Sequence, residues 1–600
     1  MQSRRQFLKT ASIGFVFSSM PWASSVGRDV NERPNVILIM TDDQGYGDFG
    51  VTGNPVIRTP NLDALARDSA QMTNYYVSPV CAPTRACLMT GRYNYRTRAI
   101  DTYIGRAMME PQEVTVAELL KTNGYATGIF GKWHLGDNYP MRPQEQGFDE
   151  VLVHRGGGIG QPSDPPEGEG KYTDPVLFHN GKAVRMKGYC TDIYFTQAMA
   201  WMDIVHRGGR PFFAYLPTNA PHTPLDDVPQ ELYDEYKKAD FGNDRFPRRD
   251  GHPLDHKVNP DHMARLYAMI TNIDQNVGRL LAYLKRRGLE EDTLVLFMVD
   301  NGPQGRRYVA GMNGTKGTVY EGGIRSPLFT HWPSVLKAGH KNGRVVAHID
   351  ILPTLLEACN LRVPREVRLD GRSFWPLLKG ESVEWPDRTI VIQAHRGNEP
   401  VLYHNFAIRS QDWKLLHASG FGRESFAGVP RFELYDMKND PLELHDVSKE
   451  HPEKMEELKR AYEAWFRDVG HTRSDNYAPP HIYVGTPYEN PVTLTRQDLR
   501  HDQGRAWAED SNGHWLLYVA ESGRYEIALR FHTEREGGDA VLNIGNAEWR
   551  QSFSATQETI RFRAVSLAEG NTTLKATLRI GETEKGPWQV DVIRIREMSR

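Results

Sequence analysis

Polar residues able to do chemistry gather at four places in the chain. Asp42 and Asp43 follow the apolar run 35–40, and Lys132 and His134 follow Phe130. His222 lies between Pro221 and Pro224 beyond Leu216, and Asp300 and Asn301 follow Val299. The Gly-rich stretch NGTKGTVYEGGIR then supplies Lys316. Singly, each has a plain reading: an Asp pair caps or turns, Lys-x-His is ordinary surface, Asp-Asn-Gly is a turn. Together they offer three carboxylates and an amide oxygen, a hard-oxygen set suited to Ca²⁺, with Mg²⁺ as the fallback. The His and Cys ligands that select zinc are missing from it. Around such a cation, Arg85, Lys132, His134, His222 and Lys316 would suit a bound dianion. An extended backbone would aim Lys132 and His134 at one face.

Groups this far apart in sequence meet only if a sheet collects them. NVILIM reads as a buried strand and PNLDALARDSA as a helix by its i, i+3/i+4 apolar spacing. TVAELLKTNGYATGIFGKWH reads as helix, Gly turn and strand, and PFFAYLPTNAPH as a strand running into a Pro-bounded loop. ARLYAMITNIDQNVGRLLAYLKRRG is a long amphipathic helix that feeds the strand of DTLVLFMVDNG. Strands this apolar, separated by helices, predict an α/β fold with a large, mostly parallel sheet covered on both faces. In such sheets functional groups gather beyond the carboxyl ends of the strands, which is where all four places fall.

This unit spans 33–370, with a Gly/Pro-rich insertion at 155–170 and a charged one at 226–261. From 371 to 470, antiparallel strand patterns around Asp440-Pro441 and the amphipathic PEKMEELKRAYEAWFRDV predict a small α+β subdomain. A polar, Pro-rich segment, 471–494, reads as a linker, and 495–600 as an added β-sandwich of short strands and Gly/Asn/Ser turns. Its Trp507, Trp515, Trp549 and Trp588 serve either as sugar platforms or as core, with packing the expected role.

Six hundred residues exceed what one core usually supports, and 73 Lys plus Arg against 76 Asp plus Glu leave a net charge of −3. Nucleic acid is therefore not the expected partner, because phosphate binding leaves a basic excess. Residues 1–27 carry Arg4-Arg5, Phe7-Leu8-Lys9, an apolar run and small residues near Ala23. That layout resembles a twin-arginine signal peptide and predicts export to the periplasm or beyond through the Tat machinery. No apolar run is long enough for a membrane span, which needs about 20 residues. Cys81, Cys87, Cys190 and Cys359 could pair in an oxidising compartment, but their spacing resembles no zinc site or small disulfide framework.

One cysteine has a different significance. Cys81-Ala82-Pro83-Thr84-Arg85, with Leu88-Met89-Thr90-Gly91-Arg92 after it, resembles the signature of the formylglycine-dependent sulfatases. TDDQGYGD, GYATGIFGKWHLG, APHTP, DNG and GTKGTVYEGGIRSP extend the likeness in the family's order across about 35–470. Thr84 stands where serine is commoner and keeps the hydroxyl. The resemblance implies the alkaline-phosphatase-type fold and a formylglycine made from Cys81 by a formylglycine-generating enzyme. It further implies a divalent cation bound by Asp42, Asp43, Asp300 and Asn301 and facing Cys81. In that scheme one hydroxyl of the hydrated aldehyde attacks the sulfur of a sulfate ester, and the second expels sulfate. Arg85 would hold the modified side chain and metal site, and Lys132 and Lys316 would bind substrate and neutralise charge. His134 would be the base for the elimination, and His222 the proton donor to the leaving alcohol, a role Lys316 could share. Export and the added module point to a sulfated carbohydrate or a related small sulfated molecule as substrate. A phosphate or phosphonate monoester hydrolase on the same fold, and a non-catalytic glycan-binding protein, are the alternatives.

Overall fold

The computed structural model describes residues 33–595 apart from 166, 248–250, 255–257, 471–476, 504–505, 509 and 532–535. The expected signal segment, 1–27, lies outside the described residues. The main unit is built on β1 (Asn35–Thr41), β2 (Ala70–Tyr76), β3 (Ala126–Lys132), β4 (Glu150–His154), β5 (Val176–His179) and β6 (Lys182–Arg185). β7 (Phe212–Pro217), β8 (Thr293–Val299), β9 (Arg325–Ser326), β10 (Leu328–His331) and β11 (Lys341–Ala347) complete it. The strand order is β11-β2-β10-β8-β1-β7-β3-β4-β5-β6, with β9 beside β2. The centre, β8-β1-β7-β3-β4, is wholly parallel, and antiparallel pairing enters through β5, β6, β9 and β10.

The unbroken apolar runs follow from burial on both faces. In β1, Val36, Leu38 and Met40 enter one core, and Ile37 and Ile39 the other. β8 alternates likewise, with Leu294, Leu296 and Met298 against Val295, Phe297 and Val299. Helices α1 (Pro60–Arg67), α4 (Cys190–Arg207) and α5 (Pro260–Arg287) cover one face. α2 (Cys81–Thr90), α3 (Val116–Thr122) and α6 (Ile351–Ala358) cover the other. α5 shows why the sequence stops where it does. The Asn259 side chain accepts from the Asp261 and His262 amides, Pro260 takes the first turn, and Gly288 closes the helix at φ 68°.

Beyond the sheet, Ile390–Gln393, Phe406–Arg409, Trp413–His417 and Glu433–Asp436 form a four-stranded antiparallel sheet. The helix Pro452–Gly470 packs on it through Leu458 and Tyr462. A buried Lys414 ties this sheet to the main unit by pairing with both Glu321 and Glu443. The last part forms two sheets, of seven and four strands, whose inner faces share one core including Trp515, Leu517, Ile527 and Val592. That is a sandwich. Its strands begin earlier than expected: Ile482–Val484 and Val492–Thr495 pair into the two sheets, inside the segment read as linker. Three- and four-residue strands flanked by Pro and Gly carry too little periodicity to stand out. Met108 and Met141 of the main unit join the sandwich core, so the two parts pack through a continuous apolar contact.

Candidate active site

The site follows from strand register. Thr41 is paired with Val299 and Met40 with Pro217, so the chains leaving β1, β8 and β7 emerge side by side. Asp42-Asp43 is thereby set against Asp300-Asn301. The Asp43 amide donates to Asp300 Oδ1 at 3.1 Å, and Asn301 Nδ2 donates to Asp43 Oδ1 at 2.8 Å. Asp43 holds φ 64°, a conformation a non-glycine residue rarely adopts unless its surroundings enforce it. Lys316 Nζ supplies further restraint, 2.7 Å from Asp43 Oδ1.

Cys81 is the first residue of α2, buried at the helix N-terminus, where backbone N–H groups favour negative charge. Its sulfur, an Asp42 oxygen and an Asp300 oxygen lie within 4.8 Å of one another. Pro83 sits in the first helical turn, where a missing N–H costs nothing. Thr84 accepts from the Ser78 amide at 3.0 Å and donates to the Asp300 carbonyl at 2.7 Å, fastening α2 to the end of β8. Arg85, one turn after Cys81, donates to Asp300 Oδ2 at 2.9 Å and to the Lys132 carbonyl at 3.1 Å. Lys132 ends β3 and donates to Asp42 Oδ2.

The two histidines have defined tautomers because a carbonyl can only accept. His134 Nε2 lies 2.9 Å from the Thr102 carbonyl and carries the proton, leaving Nδ1 bare. His222 Nδ1 lies 2.8 Å from the Thr223 carbonyl, leaving Nε2 facing Asp43 Oδ2 at 3.6 Å. His134 is not in extended backbone: its φ is 58°, so simple alternation after Lys132 does not place it. Its amide bonds to the Arg155 carbonyl instead.

All these groups but the half-buried Lys316 are buried, and burial sets the electrostatics. Burial, then Lys132, push His134 well below its ordinary value, and burial outweighs Asp43 in lowering His222. Burial raises the Cys81 thiol. For Asp42, burial is outweighed by Lys132, His222, Arg85 and Lys316, and the carboxyl is held below the usual range. Burial and the adjacent Asp42 push Asp300 up to about 7. Burial opposes the ammonium form of Lys316, yet Asp43 prevails and keeps it protonated.

The donor set fits a hard cation. Among the described residues, Asp42 Oδ1 and Asn301 Oδ1 are buried without a hydrogen-bond partner. Buried acceptors left unused beside three carboxylates are what an oxygen-ligated ion would satisfy. The four cysteines are buried and none is in a disulfide.

The structure thus brings together every residue singled out in the sequence: Asp42, Asp43, Cys81, Arg85, Lys132, His134, His222, Asp300, Asn301 and Lys316. It adds others. The insertion 155–170 folds over both histidines: a Cβ on Gly157 would lie 3.0 Å from His134 Nε2, and one on Gly158 would lie 2.8 Å from His222 Cε1. The triple glycine was the visible signal for a close backbone approach. The Thr102 carbonyl had no sequence signal.

Residues 34–361 match the family model of the sulfatases, and 314–468 match that of the C-terminal part of N-sulphoglucosamine sulphohydrolase. Arylsulfatase A of Homo sapiens is 30% identical over 492 residues, covering 74% of this chain and 89% of the relative. The N-acetylglucosamine-6-O-sulfatase of Bacteroides thetaiotaomicron is 24% identical over 520 residues, covering 73% and 87%. The crystal structure of Ps i-CgsB in complex with k-i-k-neocarrahexaose superposes with a TM-score of 0.61 at 30% identity, covering 75% of this chain and 95% of that one. Motif, site geometry and a family match over more than half of its length agree: the chain belongs to the sulfatase family and is a sulfuric ester hydrolase.

Proposed function

We propose that the protein hydrolyses sulfate esters of a carbohydrate, using a formylglycine formed from Cys81 and one Ca²⁺. The observation that carries this reading is the meeting of Cys81, Asp42 and Asp300 at the N-terminus of α2, with two lysines close to Cys81 and two histidines close enough to Asp42 to feel its charge. Asp42, Asp43, Asp300 and Asn301 would hold the cation, Cys81 facing it, and when bound it polarises the sulfate oxygens and the attacking hydroxyl. Oxidised and hydrated, the Cys81 side chain supplies two hydroxyls on one carbon, one to attack sulfur and one to expel sulfate.

The remaining work falls to residues of the chain. Arg85 fixes Asp300 and the end of β3 in one fork, so the carboxylate cannot turn away. Lys132 and Lys316 bind the sulfate group and balance the charge that grows in the transition state. His134, with Nε2–H committed to Thr102, presents a bare Nδ1 and is the base. His222 would donate to the leaving alcohol from Nε2 only as the imidazolium, since the neutral ring keeps its one proton on Nδ1 against the Thr223 carbonyl. Lys316, held protonated by Asp43, serves as its electrostatic partner.

The carbohydrate class is suggested by relatives acting on sulfated amino sugars and by the carrageenan-type oligosaccharide in the solved neighbour. A twin-arginine signal would deliver the enzyme outside the cytoplasm after a formylglycine-generating enzyme has acted. Among the described residues no helix is long and apolar enough to cross a membrane.

Parallel turnover of an aryl sulfate and an aryl phosphate, before and after calcium chelation, tests the reading. Sulfate turnover should dominate, vanish on chelation and return with Ca²⁺ more fully than with Mg²⁺. Preferred turnover of the phosphate would instead favour a monoesterase of the phosphonate type, a chemistry found on this fold in the enzyme from Silicibacter pomeroyi.

A further inference from the structure

Segment 101–106 is touched by all three parts of the chain. Its Thr102 carbonyl accepts two side-chain donors: His134 Nε2 at 2.9 Å and, from the sandwich, Gln497 Nε2 at 2.8 Å. Gln497 is 2% exposed, and since only its nitrogen can donate to a carbonyl, the amide's orientation is fixed. The Gln497 backbone carbonyl accepts the Gly105 amide at 3.4 Å. Trp507 meets Tyr103 edge-on at 5.7 Å. From the subdomain side, Arg396 pairs with Asp101 at 2.8 Å and lies 4.1 Å over the Tyr103 ring.

The segment needs this support. Ile104 stands at φ 52°, a left-handed conformation that a β-branched residue strongly disfavours, so local preference alone would not hold the turn. What the turn holds is a histidine whose ring makes a single hydrogen bond among the described residues. Among the described residues, His134 Nδ1 has no hydrogen-bond partner, so the position of the Thr102 carbonyl decides where the Nδ1 lone pair points.

We propose that the β-sandwich is a working part of the active site, and that Gln497 is a positioning residue for His134 acting through the Thr102 carbonyl. The inference rests on the reading of His134 as the base. It gives the sandwich, which lies beyond the last family match at residue 468, a role in the reaction itself.

The test is a double-mutant cycle on the full-length enzyme, matured identically and assayed with a small aryl sulfate that is too short to reach the sandwich. Gln497→Met keeps the volume and removes the donor. It should lower kcat about tenfold. KM should stay within about twofold and Tm within about 2 °C, a split that loss of folded protein would not give. In a His134→Ala background the same change should cost less than about twofold, because the residue it positions is already gone. Gln497→Asn, too short to reach Thr102 but still polar, should show the same pattern and decides the matter if the methionine variant folds poorly. An unchanged kcat in both variants, or the same loss in both backgrounds, would overturn the proposal. Full turnover in His134→Ala alone would remove the base reading beneath it, an outcome distinct from the other two.

Discussion

Thr84 shows how closely a single hydroxyl can be tied to a site. It accepts from the Ser78 amide and donates to the Asp300 carbonyl, joining the helix that carries Cys81 to the strand end that carries Asp300 and Asn301. Thr84→Val keeps the shape and strands both buried partners. It should destabilise the fold by about 1–3 kcal/mol in urea titration and reduce turnover further than the stability loss accounts for. Thr84→Ser should restore both, which is the expected result if the hydroxyl matters and the methyl does not. At this scale the motif residues were readable because Cys81, Thr84 and Arg85 sit within one turn. Gly157 and Gly158 showed only as part of a Gly-rich insertion, and the Thr102 carbonyl not at all, because no side-chain type marks a backbone oxygen.

Strands and helices set the site by register, and one turn between them carries a pH-sensitive group. His348 is buried in the 3₁₀ turn His348–Asp350, where Nδ1 accepts the Ile349 amide and Nε2 donates to Ser78 Oγ at 2.9 Å. Burial lowers it from the ordinary 6.5 to about 3. The unfolded chain therefore takes up a proton that the folded chain refuses, so stability is full above pH 6.5 and falls as pH drops from there toward 3. The loss attributable to His348 should be about 2 kcal/mol at pH 5. Urea titrations at pH 7.5 and 5 should show a smaller difference between the two pH values in His348→Asn than in the parent. Lys414 anchors the next joint. It is buried between Glu321, in the short helix after the Lys316 loop, and Glu443 of the subdomain. Lys414→Ala leaves two carboxylates facing each other and should cost about 3–5 kcal/mol by the same measurement. The parallel sheet was legible because β1 and β8 are apolar at every interior position. The joint was not, since a lysine in a short strand reads as surface until its partners arrive from elsewhere in the chain.

For the whole molecule, the three parts meet at segment 101–106. The sandwich shares its core with Met108 and Met141 and holds segment 101–106, so its removal would expose apolar surface and release the turn behind His134. An enzyme ending at residue 480 should therefore lose turnover of a small aryl sulfate in about the same proportion as turnover of a sulfated polysaccharide, measured per folded molecule. A selective loss on the polymer would mark the sandwich as a carbohydrate-capture device instead. The presence of this β-rich part was visible in its alternation and turns. Its docking was not, because Met108, Met141, Gln497 and Trp507 have no common pattern until the surfaces meet.

The central claim is that Cys81 is converted to an aldehyde and that this group turns over sulfate esters. The most direct measurement is the mass spectrum of the peptide containing residue 81, taken from preparations whose aryl-sulfate turnover has been determined. The account predicts a peptide in which CHO replaces CH₂SH at Cys81, in a fraction that rises in proportion to specific activity. Full activity in a preparation whose Cys81 is entirely the unmodified thiol would contradict it.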